Sequence, residues 1–226
     1  MHKLFLPYDI YERHKFVGKQ ISNGDTVLDV GGELNHLNKF CTPKKIVVAN
    51  LNTGDVIIKK DKLPFKKNSF NVVCAIDVLE HIPAKKRGEF VQKLLDISTN
   101  KIVLSFPIFT PNHQEYESDL LGWLRKKGEK VQYLEEHARY GLPTISQIKD
   151  ITKAKKNKIY YSGNISLNRL VFKFYMFDPK IKGLRKVNYY FKLAINFLTD
   201  ELLYILLTNK IFSENVNRAY VTIYKK

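Results

Sequence analysis

Apolar positions in the first half of the chain come as short unbroken runs separated by amphipathic stretches. Over residues 8–21, Ile10, His14, Val17 and Ile21 recur at helical spacing, and Asn23-Gly24 then breaks the chain. Residues 26–30, 45–49, 56–59, 70–76 and 101–106 read as five strands, the last closed by Pro107. Between them, 34–40 and 85–97 read as helices, the second with Phe90, Leu94 and Ile97 on one face. Alternating strands and helices predict a parallel sheet with helices on both sides. Runs that are apolar throughout, rather than at every second position, fit strands buried on both faces.

The second half has a different rhythm. Residues 111–144 are polar, with two candidate helices, and 159–162 read as another strand. Aromatic-rich helical runs over 167–177 and 189–207 are separated by Lys182-Gly183, and 219–224 alternates as a final strand. No repeat or low-complexity linker divides the chain, so 1–226 is expected to form one domain, with 1–110 and 111–226 as its two parts.

Charge changes the picture. Lys and Arg number 38 against 22 acids, a formal net charge of +16, on an otherwise ordinary composition of 44% hydrophobic residues. Such an excess favours nucleic acid, an acidic membrane surface or a phosphorylated substrate; otherwise it is a solvated Lys-rich face. Cys41 and Cys74 form no CxxC pair and no zinc pattern, which fits reduced thiols and a cytoplasmic setting. The N-terminal apolar run is too short for a signal peptide. The longest apolar stretch, 197–207, contains Asp200 and Glu201 and falls short of the roughly 20 apolar residues of a spanning helix.

In open parallel sheets, ligands bind beyond the carboxyl ends of the strands. The segment Thr26-Val27-Leu28-Asp29-Val30-Gly31-Gly32 runs a strand into a glycine turn. Glycine permits a tight bend and close approach of a ligand, and the N–H groups of a following helix would face an anion. Asn50 ends the second strand about 20 residues later, where such folds place a ribose-binding group. This much suits a dinucleotide equally well.

Three further segments narrow the choice: Asp61-Lys62-Leu63-Pro64-Phe65, Asn68-Ser69-Phe70-Asn71-Val72-Val73, and Ile76-Asp77-Val78-Leu79-Glu80-His81-Ile82-Pro83. In this order they resemble class I S-adenosylmethionine (SAM)-dependent methyltransferases of the broad, type-11-like small-molecule and glycan group, which read approximately D-x-LPF-x-x-x-SFD-x-V and then D-x-LEH. The resemblance covers residues 8–106. It implies an α/β fold: a Rossmann-like, seven-stranded, mostly parallel sheet with helices on both faces and a helical C-terminal insertion before the last strand. It implies SAM as cofactor, bound by the 1–110 half. Asp29 would lie near the cofactor's amino-acid end, the Gly31-Gly32 backbone would approach it, and Asn50 would meet the ribose. Asp61, Lys62 and Leu63 would surround the adenine, while Asp77 and His81 would border the methyl group and substrate. The family's loop D-x-G-x-G-x-G carries Glu33 and Asn35 at its second and third glycine positions here, and Asn50 replaces the usual acid.

Farther on, Pro111-Asn112-His113-Gln114-Glu115 and Glu135-Glu136-His137-Ala138-Arg139-Tyr140-Gly141-Leu142-Pro143 resemble methyltransferases that work among polysaccharide-building enzymes. That implies O-methylation of a sugar or lipid-linked glycan. A hydroxyl acceptor needs its proton removed, and the candidate bases are His113, His137 and His81, in that order, with Glu115 orienting His113. The spacing of His113, Glu115, Glu136 and His137 matches no standard ligand pattern, so no metal is expected. Residues 167–212, rich in Phe, Tyr, Leu and Lys, read either as a helical cap or as a basic amphipathic surface resting peripherally on an anionic inner-membrane face. Two rival readings remain at this stage: an RNA methyltransferase, for which no recognisable RNA-binding module is present, and a methyltransferase fold that binds without catalysing.

Overall fold

The computed structural model describes residues 2–59 and 62–225. The strands are β1 (Thr26–Val30), β2 (Lys45–Asn50), β3 (Val56–Ile57), β4 (Phe70–Ile76), β5 (Ser98–Pro107), β6 (Asn157–Ser162) and β7 (Arg218–Tyr224). They form one seven-stranded sheet in the order β3-β2-β1-β4-β5-β7-β6. Pairings from β3 to β5 are parallel, and β7 enters antiparallel between β5 and β6. The expected sheet, mostly parallel with a late helical insertion, is therefore the one observed.

The helices are α1 (Tyr8–Gly18), α2 (Arg87–Ile97), α3 (Pro111–Lys126), α4 (Gln132–Tyr140), α5 (Ile145–Thr152), α6 (Ile165–Met176) and α7 (Lys182–Leu207). Period-2 side-chain direction sends Leu28, Val73, Ile102 and Leu104 into one core with Val91 and Leu94 of α2 and Ile148 of α5. Their neighbours Val27, Val72, Cys74 and Val103 face the other way, against Val17 of α1 and Leu37. A third cluster joins Tyr8, Tyr11 and Phe16 of α1 to Tyr204 of α7 and Tyr220 of β7. Both faces are covered, which explains the unbroken apolar runs.

Three expectations are corrected. Residues 34–40 form only a single turn of 3-10 helix, Leu37–Lys39. Asn35 takes a left-handed φ of 65°, and its side-chain oxygen accepts from Asn38 Nδ2 at 3.2 Å, so local side-chain bonding displaces the helix. The helix N-terminus expected beside the glycine turn is thus not there. The third strand, expected over 56–59, is only Val56–Ile57, paired on one side at the sheet edge. Lys182 and Gly183 do not separate two helices; they are the first residues of α7, and the break lies at 177–181.

Candidate active site

A cavity of about 710 Å³ opens beyond the carboxyl ends of β1, β4 and β5. Its first wall is the glycine turn. Gly31 takes φ +80°, and a Cβ there would collide with Val78 Cγ2; a Cβ on Gly32 would strike the Asp29 carboxyl. Gly31 N donates to Ala49 O at 2.7 Å. Asn50 holds the turn from behind, Nδ2 donating to Gly31 O at 3.2 Å and to Gly32 O at 2.8 Å. Asp29 is fully buried, and neither carboxyl oxygen has a hydrogen-bond partner among the described residues. Burial pushes its carboxyl up to about 7. Glu33 stands at the rim of the cavity, 70% exposed, with His36 Nδ1 3.4 Å away.

The second wall is ionic. Asp77, at the end of β4, adopts φ 53°, a left-handed conformation that Asp tolerates better than most residues. Its carboxylate lies 2.6 Å from Arg13 NH1 of α1 and accepts from Arg218 NH1 of β7. Burial raises its pKa, but the two guanidiniums outweigh that and hold it at about 2. Arg218 also donates to Ser105 Oγ at 3.0 Å. Arg13 Nε is buried without a hydrogen-bond partner among the described residues.

Histidines and glutamates make the third wall. Thr110 caps α3 by accepting from His113 N at 3.0 Å. His113 Nδ1 lies 2.8 Å from Ile108 O, and its Nε2 faces Glu117 Oε1 at 3.6 Å. Glu117, not Glu115, is therefore the carboxylate beside His113; Glu115 is exposed. On α4, His137 Nδ1 lies 2.8 Å from the same Glu117 oxygen, while its Nε2 is buried and unpartnered. His81, on the turn Leu79–His81, has Nδ1 2.6 Å from Glu136 Oε2 and its ring 5.2 Å from that of His137. Burial lowers the pKa of His81 and His113, with the neighbouring His137 adding to the effect. Beside them Glu80 is almost wholly buried, one oxygen unpartnered, its carboxyl pushed up by burial and then by Asp77.

Gly31, Gly32, Asp77, His81, His113 and His137 all line this one cavity. Asp29 and Asn50 stand behind the glycine turn. Lys62 is exposed and Leu63 packs on the main core, neither on the cavity wall. Asp61 lies outside the described residues. Arg13, Glu80, Glu117 and Arg218 were not singled out from sequence. Glu117 had a readable signal, standing one helical turn after His113; Arg13 and Arg218 had none, because their partner Asp77 is distant in sequence.

No family model matches the sequence, nor does any curated protein sequence. Solved structures do match over nearly the whole chain. A SAM-dependent methyltransferase from Thermotoga maritima is 10% identical over 98% of this chain and 93% of its own, with a TM-score of 0.54. A geranyl diphosphate methyltransferase in complex with SAM is 7% identical over 94% of this chain and 84% of its own, at 0.56. Phosphoethanolamine N-methyltransferase 2 of Haemonchus contortus, in complex with SAM, is 15% identical over 93% of this chain, at 0.53; the chain spans 51% of that enzyme. At such identities the likeness is one of fold, and the fold is that of class I SAM-dependent methyltransferases.

Proposed function

We propose that this chain transfers a methyl group from SAM to an acceptor held against His137. The observation that carries this reading is the single cavity that sets the Gly31-Gly32 turn opposite the histidine wall. The turn fits a cofactor: Gly31 and Gly32 border the cavity with no side chain of their own, and an orphaned carboxyl, Asp29, lies directly beneath Gly32. No α-helix follows β1 to meet the carboxylate of SAM, and the unpaired Nε of Arg13 supplies the missing donor. When bound, SAM contributes an electrophilic methyl on a sulfonium. Asp77 is committed to Arg13 and Arg218, so its part is to fix those guanidiniums.

The acceptor is activated at His137. Its Nδ1 is held by Glu117, which leaves the Nε2 lone pair without a partner among the described residues. His113 spends Nδ1 on Ile108 and turns Nε2 toward Glu117, so it ranks second. For the acceptor we favour a hydroxyl of a sugar or lipid-linked glycan. The outer stripe of α7 supports presentation at a lipid surface: Val187, Phe191, Leu198, Leu202 and Ile205 are exposed, and Lys182, Arg185 and Lys186 lie in the helix's first turns on its other side. Among the described residues no helix is long and apolar enough to cross a membrane.

Calorimetric titration with SAM tests the first half of the reading, and Arg13→Gln should weaken binding by about 10-fold or more, the range for a charge-assisted hydrogen bond. A folded protein that binds no SAM would return the chain to a non-catalytic role. Turnover tests the second half. His137→Ala should cut the rate by about 10²–10⁴, the usual span for loss of such a group, with SAM affinity unchanged. If His113→Ala cripples and His137→Ala is silent, the ranking is reversed.

A further inference from the structure

We propose that Glu80, His81 and His137 form a site for one divalent transition-metal ion of the Zn2+ class. Their ligand atoms lie within 4.8 Å of one another. Bonds of about 2.1 Å at a tetrahedral angle place donors roughly 3.4 Å apart, so closure needs only about an ångström of side-chain movement. Two imidazoles and a carboxylate are a donor set that borderline ions accept, with a position left for water or substrate.

Two features point to a ligand rather than to packing. Glu80 is 1% exposed and His137 6% exposed, yet Glu80 Oε2 and His137 Nε2 have no hydrogen-bond partner among the described residues. Buried polar atoms are rarely left so. His81 Nδ1 is likewise buried without a hydrogen-bond partner among the described residues, 2.6 Å from Glu136, and His137 is gripped at Nδ1 by the Glu117 carboxylate at 2.8 Å. That is how outer groups orient metal-bound histidines, fixing the tautomer and freeing Nε2. His81 and His137 both line the cavity, so the ion's open position would face the acceptor. This set differs from the His113, Glu115, Glu136 and His137 combination weighed from sequence, because Glu115 points to solvent and Glu80 comes from a neighbouring turn.

Ion binding stands on this geometry alone; its role rests on the methyl-transfer reading. There the ion would draw electron density from the acceptor hydroxyl. The proton passes to water, the oxygen bonds to the methyl carbon, and the carbon–sulfur pair returns to sulfur, leaving S-adenosylhomocysteine with no redox change. His137 then serves as a ligand rather than as a base.

The test uses the full chain, stripped with a chelator, titrated with Zn2+ by calorimetry and with Co2+ by visible absorption. One equivalent should bind, with a Co2+ spectrum of low coordination number. His137→Ala and Glu80→Gln should each weaken binding by at least 10–100-fold, the range already seen for loss of an outer-shell partner. Glu115→Gln should leave it unchanged, and circular dichroism verifies folding of each variant. Absence of saturable binding, or binding that survives both substitutions, would sink the site. A parallel SAM titration of the stripped protein separates the two ideas: SAM binding without metal binding removes the site alone, and metal binding without SAM binding removes the methyl-transfer role alone.

Discussion

Asp77 and Asp29 end neighbouring strands, and burial acts on both, with opposite outcomes. Two guanidiniums hold Asp77 at about 2, below its ordinary 3.8. Its contribution to stability is therefore present above pH about 4 and is lost as pH falls through 2. Asp77→Asn leaves the largely buried Arg218 without its carboxylate partner and should cost about 3 kcal/mol in urea unfolding; the double variant Asp77→Asn/Arg218→Met should recover part of it. Asp29 has no such partner, and burial carries it from 3.8 to about 7. A carboxyl raised in this way favours the folded state fully below pH about 4 and progressively less up to 7. Relative to wild type, Asp29→Asn should therefore gain about 2–3 kcal/mol between pH 5 and pH 8; a pH-independent difference would mean that Asp29 has a partner in solution. Both aspartates were legible in sequence from their place at strand ends. The division of labour between them was not, since it depends on Arg218, 141 positions from Asp77.

At the scale of elements, strands buried on both faces were the easiest to read, and β1 and β4 have the bounds that their apolar runs suggest. The stretch 34–40 misled because its apolar spacing is helical while Asn35 and Asn38 bond locally. Arg87 was equally opaque, looking like one more residue of a surface helix. It is 1% exposed. Its Nε donates to Leu79 O at 3.1 Å and Ile82 O at 3.0 Å, its NH1 to Gln147 Oε1 at 2.8 Å, and its NH2 to Gly141 O. One side chain thereby ties the His81 turn to the end of the His137 helix and to α5. Arg87→Lys keeps the charge but not the fork. It should destabilise by on the order of 3 kcal/mol and shift the imidazole resonances of both His81 and His137. If those resonances stay put while stability falls, Arg87 supports the fold without placing the histidines.

Over the whole molecule, the proposed lipid-surface reading ties the +16 charge to the exposed stripe of α7. Leu198 is 74% exposed and Ile205 71%, on the side of the helix opposite the buried Asn196, Asp200 and Tyr204. Each cation near an anionic bilayer contributes about 1 kcal/mol. The chain should sediment with anionic vesicles at low salt, leave them at high salt and ignore neutral ones. Replacing Lys182, Arg185 and Lys186 by Glu should abolish this without altering SAM affinity. Tight salt-dependent RNA binding with no vesicle binding would favour a nucleic-acid acceptor instead. The sheet order has a consequence for how the molecule is made. β7 is the last strand in the chain yet lies inside the sheet, between β5 and β6. Until it emerges from the ribosome, β5 has an open edge and Asp77 has one guanidinium instead of two. Synthesis from the N-terminus therefore builds the glycine turn early and the ionic wall last. A chain stalled or truncated before Arg218 would present an unpaired, strongly apolar edge, the kind of surface that chaperones capture and aggregates grow from.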